Sequence, residues 1–289
     1  MRLYHRSRQR PLAAGPPERH SATATDWYGR HVVLLAFDLD KTLLTDDYRL
    51  PDETLAAVRA ARQRGHIVTV LTGRPLRAAK AFLDLLEIEV PHAVNHGSYV
   101  RNGQGEALRR MRLATAQVDA LLEEHLDDAT VEFSCVVDDV LYVRDPANER
   151  WDWVHAESRA ITRFQVGLGL AADKVVFHGT GRTPALDGWV ARRHPDLLRY
   201  LWGDGYLEIV PQGGDKGSAL EYIAGLLGVP RDQVVAFGDG LNDVTMLGWA
   251  GHAVAVGPDV HPDALAAADE HVDSPELGGV AAWLERNAL

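Results

Sequence analysis

The chain has 289 residues, 46% hydrophobic and 25% charged, a balance that supports a sizeable core and, at about 150 residues per domain, suggests two domains. A net charge of -11 argues against nucleic acid or an anionic membrane as the main partner. The single Cys135 excludes an internal disulfide and suits a cytoplasmic location, and no apolar run reaches the roughly 18 residues that span a bilayer.

Residues 1–30 stand apart. Arg2, Arg6, Arg8, Arg10, Arg19 and Arg30 face only Glu18 and Asp26, with Pro16 and Pro17 between them and no hydrophobic period. The segment lacks the apolar centre of a secretory signal. It reads as a basic, flexible tail or as the product of an upstream start; a functional basic arm is the remaining reading.

From residue 31 onward apolar runs alternate with helical patterns. Residues 32–37 read as a strand buried on both faces, and "PDETLAAVRAARQRG" as a helix with Pro51 near its start and Gly65 at its end. Residues 67–71 predict a second strand, "PLRAAKAFLDLLEI" a second helix, and residues 92–94 a short third strand. The middle breaks this rhythm. "VEFSCVVDDVLYVRD" predicts two strands turning at Asp138 and Asp139, "KVVFHG" another, with helices over 115–128 and 187–201. "YLEIVP", at residues 206–211, reads as the end of the insert or as the segment leading back from it. Then come a helix in "KGSALEYIAGLLG", a strand in "QVVAFGDG", a helix in "NDVTMLGWAG", a strand in "HAVAVG" and a closing helix in "GGVAAWLERNAL". Alternating strands and helices predict a doubly wound parallel α/β sheet. The middle predicts an α+β domain inserted into it. The boundaries expected are 31–98 for the first part of the core, 99–205 for the insert and 206–289 for the second part of the core.

Chemistry collects where the strands end. The first strand runs directly into Asp38 and Asp40, two carboxylates on one face, which repel unless a cation lies between them. "VTVLTGRP" places Thr72, Gly73 and Arg74 after the second strand, "VVAFGDGLND" places Asp239, Asn242 and Asp243 after a later one, and Lys216 opens a helix after a glycine-rich turn. Parallel sheets bind ligands at their carboxyl ends, so four βα units converge on one rim. Taken singly each piece is weak. "DLD" is common in turns, a lone lysine at a helix start is usually solvated, and "GDGLND" resembles a calcium-loop fragment without its later bidentate glutamate. Together, aspartates without histidine or cysteine suit magnesium, while lysine, hydroxyl and backbone amides suit a phosphate. One aspartate could then attack phosphorus and the other transfer protons.

In that order, "DLDKTL", "LTGR", "DKGSAL" and "GDGLND" resemble the four motifs of the haloacid dehalogenase superfamily, over residues 31–98 and 206–289. The resemblance implies that Asp38 is the nucleophile and that Asp40 is the general acid/base, offering its backbone carbonyl to the metal. Thr72 and the Gly73 amide would bind phosphate and Lys216 would neutralise it. Asp239 would be the main further magnesium ligand, with Asp243 as ligand or behind it, Asn242 nearby, and Arg74 either on substrate or in a salt bridge. An insert at this position is similar to the large α+β cap of the Cof-type branch. That implies a Mg2+-dependent phosphatase of a small phosphorylated metabolite, a sugar phosphate first, with the cap choosing the substrate. Two residues depart from the pattern: Lys41 stands where the family usually has glycine, and His96 separates Asn95 from Gly97 in "NHGSYV". A phosphosugar mutase with the same nucleophile is the nearest rival, and a non-catalytic metabolite-binding protein the rival from another class. His178, Arg182 and Asp187 are polar enough to face a substrate, but such residues are usually just exposed; Trp151, Trp153 and Trp189 read as packing within the insert.

Overall fold

The computed structural model describes residues 32–288 apart from Glu157, Thr180 and Asp204; the basic tail expected over residues 1–30 lies outside the described residues. The chain begins β1 (Leu34–Phe37), α1 (Asp52–Gln63), β2 (Ile67–Val70), α2 (Leu76–Leu85) and β3 (His92–Val94), followed by the hairpin strands β4 (Tyr99–Arg101) and β5 (Ala107–Arg110). The insert comprises α3 (Thr115–Leu122), β6 (Glu132–Val137), β7 (Val140–Val143), α4 (Asp152–Ala156), β8 (Ile161–Arg163), β9 (Lys174–His178), α5 (Thr183–Arg193), β10 (Leu198–Trp202) and β11 (Tyr206–Val210). The chain closes with α6 (Lys216–Leu227), β12 (Val234–Gly238), α7 (Val244–Trp249), β13 (His252–Val256), α8 (Pro262–Ala267), β14 (Glu270–Val272) and α9 (Gly279–Asn287).

The first sheet is parallel throughout, in the order β14-β13-β12-β1-β2, and a bridge between Leu71 and Ala93 brings β3 beside β2. All four residues of β1 are fully buried, because helices cover both faces. Val33, Leu35 and Phe37 pack with α1 and with Trp283 of α9, whereas Leu34 and Ala36 pack with Leu220 and Ile223 of α6 and Met246 of α7. Phe37 and Phe237 stack at 4.6 Å across the central strand pair, each large side chain adding about 1.5–3 kcal/mol on burial. A central pair so held gives the residues beyond its carboxyl ends a rigid base.

The second sheet runs β10-β11-β9-β6-β7-β8, antiparallel except for β7 beside β8. Phe133, Val175, Phe177, Leu207 and Ile209 turn to one face and pack under α3 and α5 with Leu121, Leu186 and Val190. The cross-strand partners Trp202, Tyr206 and His178 lie on the opposite face, as does Glu208, opposite Val176.

Three details differ from the expected boundaries. A helix over 187–201 is interrupted: α5 stops at Arg193 and Leu198–Trp202 is an edge strand. Pro195 has no N–H and disfavours helical backbone at the residue before it. Tyr206–Val210, placed by the expected boundaries at the start of the second part of the core but also read as the end of the insert, pairs with β9 and β10, so the chain leaves the second sheet only at Pro211. β4 and β5, expected in the insert, pair with β3 in a small antiparallel sheet, and Arg109 of β5 donates to the Ser218 carbonyl of α6. Among the described residues no helix is long and apolar enough to cross a membrane.

Candidate active site

The Asp38 amide donates to the Phe237 carbonyl at 3.0 Å, carrying the β1–β12 pairing one residue beyond the strand. Its carboxylate, 5% exposed, meets Lys216 at the start of α6: Nζ donates to Asp38 Oδ1 at 2.5 Å and to Asp243 Oδ1. Lys216 and Asp243 are fully buried, so neither charge is relaxed by water. The other Asp243 oxygen accepts the amides of Asp239 and Gly240 at 3.0 and 2.9 Å, which fixes the turn after β12. Gly238 is required there, since a Cβ would sit 2.6 Å from the Asp243 side chain. Thr42 donates to Asp239 Oδ1 at 3.1 Å.

Asp38, Asp239 and Asp243 each offer a carboxylate oxygen within 4.8 Å of the others. Burial raises the Asp38 pKa well above the ordinary range; Lys216 pulls it back, and Asp243, Asp239 and Asp40 push it further up. Burial and then Asp243 push Asp239 up to about 7. Three carboxylates against one ammonium leave a deficit of positive charge inside the protein. An all-oxygen donor set with that deficit fits a hard divalent cation such as magnesium.

The Asp40 carboxylate turns away from this cluster onto Arg74, whose Nε donates to Oδ2 at 2.8 Å and whose second nitrogen closes a forked pair on Oδ1. The Arg74 guanidinium lies 5.0 Å from the ring centres of both Tyr48 and Phe82, a sandwich that holds the fork in place. Of the two sequence readings of Arg74, the salt bridge is the one formed. Thr72 is fully buried, and its hydroxyl accepts the Arg74 amide at 3.1 Å. Lys41 adopts φ 58°, a left-handed backbone that glycine takes without strain. Its ammonium is exposed, 4.0 Å from Asp46.

Asp38, Asp40, Lys41, Gly73, Arg74 and Asp239 line a cleft of about 1060 Å³ between the two sheets. Its far wall comes from the insert: Lys174, Trp202, Tyr206 and Glu208. Sequence reading missed all four, and the only cue was the alternation of Tyr206 and Glu208 with apolar Leu207 and Ile209. Lys174 donates to Glu208 Oε1 at 2.6 Å, and Glu208 also pairs with His96. The polar candidates of the insert lie elsewhere: Arg182 pairs with Asp128 and Asp187 with Arg199, while His178 contacts Ser134, its pKa lowered to about 4 by burial. Trp151 is buried against Leu141, Val143 and Val154, Trp189 packs under the second sheet, and Trp153 is exposed beneath the Arg159 guanidinium.

A family model described as haloacid dehalogenase-like hydrolase matches residues 35–284. The chain is 28% identical over 239 residues to a 5-amino-6-(5-phospho-D-ribitylamino)uracil phosphatase of Bacillus subtilis, covering 78% of this chain and 86% of the relative. It is 29% identical over 236 residues to an HMP-PP phosphatase of Serratia proteamaculans, covering 78% and 83%. Among solved structures, a haloacid dehalogenase-like hydrolase of Bacteroides thetaiotaomicron superposes with a TM-score of 0.75 at 22% identity, over 89% of this chain and 99% of its own. A sugar phosphatase of subclass IIB gives 0.73 at 22% identity, over 88% and 98%.

Proposed function

This chain belongs to the haloacid dehalogenase-like hydrolases, and we propose that it is a magnesium-dependent phosphatase that hydrolyses a small phosphorylated metabolite, a sugar phosphate first among them. The observation that carries this reading is the buried Lys216 ammonium shared between Asp38 and Asp243, with Asp239 within reach of both carboxylates. A binding protein has no need of a nucleophile held in that way. The phosphatase activities for which the two relatives are named, both on phosphorylated small molecules, and a cleft of small-molecule size support the substrate class.

Phosphate would settle against the Thr72 hydroxyl and the Gly73 amide, with Lys216 offsetting its charge. Asp38 attacks phosphorus as the bond to the leaving oxygen breaks, giving an aspartyl phosphate. Asp40 would leave the Arg74 fork, take up a proton from solvent as substrate binds, and pass that proton to the leaving oxygen. It then takes a proton from the water that splits the acyl phosphate, which frees Asp38 and inorganic phosphate. Asp38, Asp239, the Asp40 carbonyl and Asp243 are the groups that would hold magnesium, whose charge would offset that of the attacking carboxylate and the transferring oxygens. The insert would close over the cleft, exclude water and select the leaving group.

Phosphate release from a panel of phosphomonoesters, with and without magnesium, tests this reading. Magnesium-dependent release should fall by at least about a thousandfold in Asp38→Asn, with the fold kept. Equal release from that variant overturns the mechanism. Transfer of phosphate between two hydroxyls of one sugar, without release, would make the protein a mutase.

A further inference from the structure

His96 stands on a backbone that suits glycine. Its φ is 61° and that of Asn95 is 50°, two successive left-handed residues, a conformation that side chains disfavour. Yet its side chain is large and 2% exposed. Strain of this kind persists only where the surroundings impose it, and an observed outlier of this sort points to function.

Three separate parts of the chain meet at this residue. The first is the phosphate loop. The amides of Asn95 and His96 donate to the carbonyls of Arg74 and Thr72, each at 2.9 Å, and the ring covers Gly73 so closely that a Cβ there would lie 2.6 Å from His96 Cε1. The second is the loop after β12, where Asn242 Nδ2 lies 3.1 Å from His96 Nδ1. The third is the insert, whose Glu208 faces His96 Nε2 and whose Tyr200 and Trp202 stack on the ring at 4.8 and 6.4 Å.

The protons on the ring follow from its neighbours. Burial alone would raise the Glu208 pKa, but Lys174 and then His96 hold it below the ordinary carboxylate range. An ionised carboxylate only accepts, so His96 Nε2 carries the proton and donates. Burial lowers the His96 pKa, and Nδ1 faces the Asn242 amide nitrogen, which can only donate, so Nδ1 accepts. Both ring nitrogens are therefore committed, one to the core and one to the insert. A side chain serving only to fill space would need neither.

We propose that His96 is a positioning residue, a latch that holds the Glu208–Lys174 pair and the aromatic face of the insert over the phosphate loop in the binding-competent arrangement. The latch rests on the phosphatase reading of the cleft, and its test separates the two. A protein whose closed form is less populated binds substrate more weakly by that fraction. In His96→Gly, whose backbone is comfortable, kcat/KM on the preferred ester should fall roughly ten- to a hundredfold, mostly through KM. Added imidazole should recover much of the loss, since His96 lines the cleft. His96→Phe keeps the ring volume without the hydrogen bonds and should show the same KM rise with no response to imidazole. A wild-type KM in either variant overturns the latch, and if the glycine variant does not fold, the phenylalanine variant decides alone. A cycle of urea unfolding with His96→Phe, Glu208→Gln and the double variant reads the latch without activity. Coupling of at least about fivefold in the unfolding constant is expected, and additive effects overturn it. A wild-type protein that releases no phosphate would sink the phosphatase reading, leaving the unfolding cycle to judge the latch.

Discussion

The rim of the parallel sheet and the facing side of the inserted sheet form the two walls of one cleft, yet they are built in opposite ways. On the rim, Lys216 and Asp243 are wholly buried and Asp38 is nearly so, and both Asp243 oxygens are held, one by Lys216 of α6 and the other by two amides of its own turn. On the insert, Tyr206 is 39% exposed and the pocket-facing groups are aromatic rings around one Lys174–Glu208 pair. The rim is preorganised, because its charges cannot rearrange without leaving a buried ion unpaired. The insert offers contact area that a change of one side chain can reshape at small cost to the fold. Under the proposed function, the reaction would belong to the first wall and the choice of substrate to the second.

The comparison breaks first at Lys216. Lys216→Met strands Asp38 and Asp243 in the interior, so urea unfolding of the metal-free protein should show a loss of about 3–5 kcal/mol, and phosphate release should fall by about a thousandfold. A variant as stable as the parent would mean that the rim is not the rigid wall described above.

Magnesium should act on the rim with a defined pH dependence. Asp239 sits at about 7, against about 3.9 for an unfolded aspartate. In the metal-free folded protein it keeps a proton that the unfolded chain has lost between those values. Its contribution to stability is therefore fully present below the unfolded pKa and is lost as pH rises through the folded one. Magnesium replaces that proton, so the rise in Tm on adding it should grow with pH and level off above about 7. A magnesium effect that shrinks as pH rises would contradict this assignment of charge.

The smallest effect belongs to the insert wall. Trp202→Ala should change KM by roughly two- to tenfold, by different amounts for different esters, with kcat and Tm little altered. A uniform loss of kcat on every ester would remove the division of labour between the walls.

Much of the rim is legible in the sequence because each group follows a strand that is mostly apolar: Asp38 after β1, Thr72 after β2, Asp239 after β12. A parallel sheet brings such ends together wherever they lie in the chain. The insert is less legible. The strand Leu198–Trp202 reads as a continuation of α5, since Leu, Arg and Tyr suit either period and only pairing with β11 decides. His96 is noticeable in sequence as an interruption of an Asn-Gly turn, but nothing local shows that Glu208, 112 residues on, receives its proton.

The parallel core and the order of its chemical groups are already legible along the chain, because hydrophobic period and strand-end residues are local signals. That Arg74 holds Asp40, that β11 pairs with β9 and β10 and that His96 touches both walls emerges only in three dimensions. Each of those depends on a partner distant in the chain, and pairing across the cleft leaves no local periodic trace.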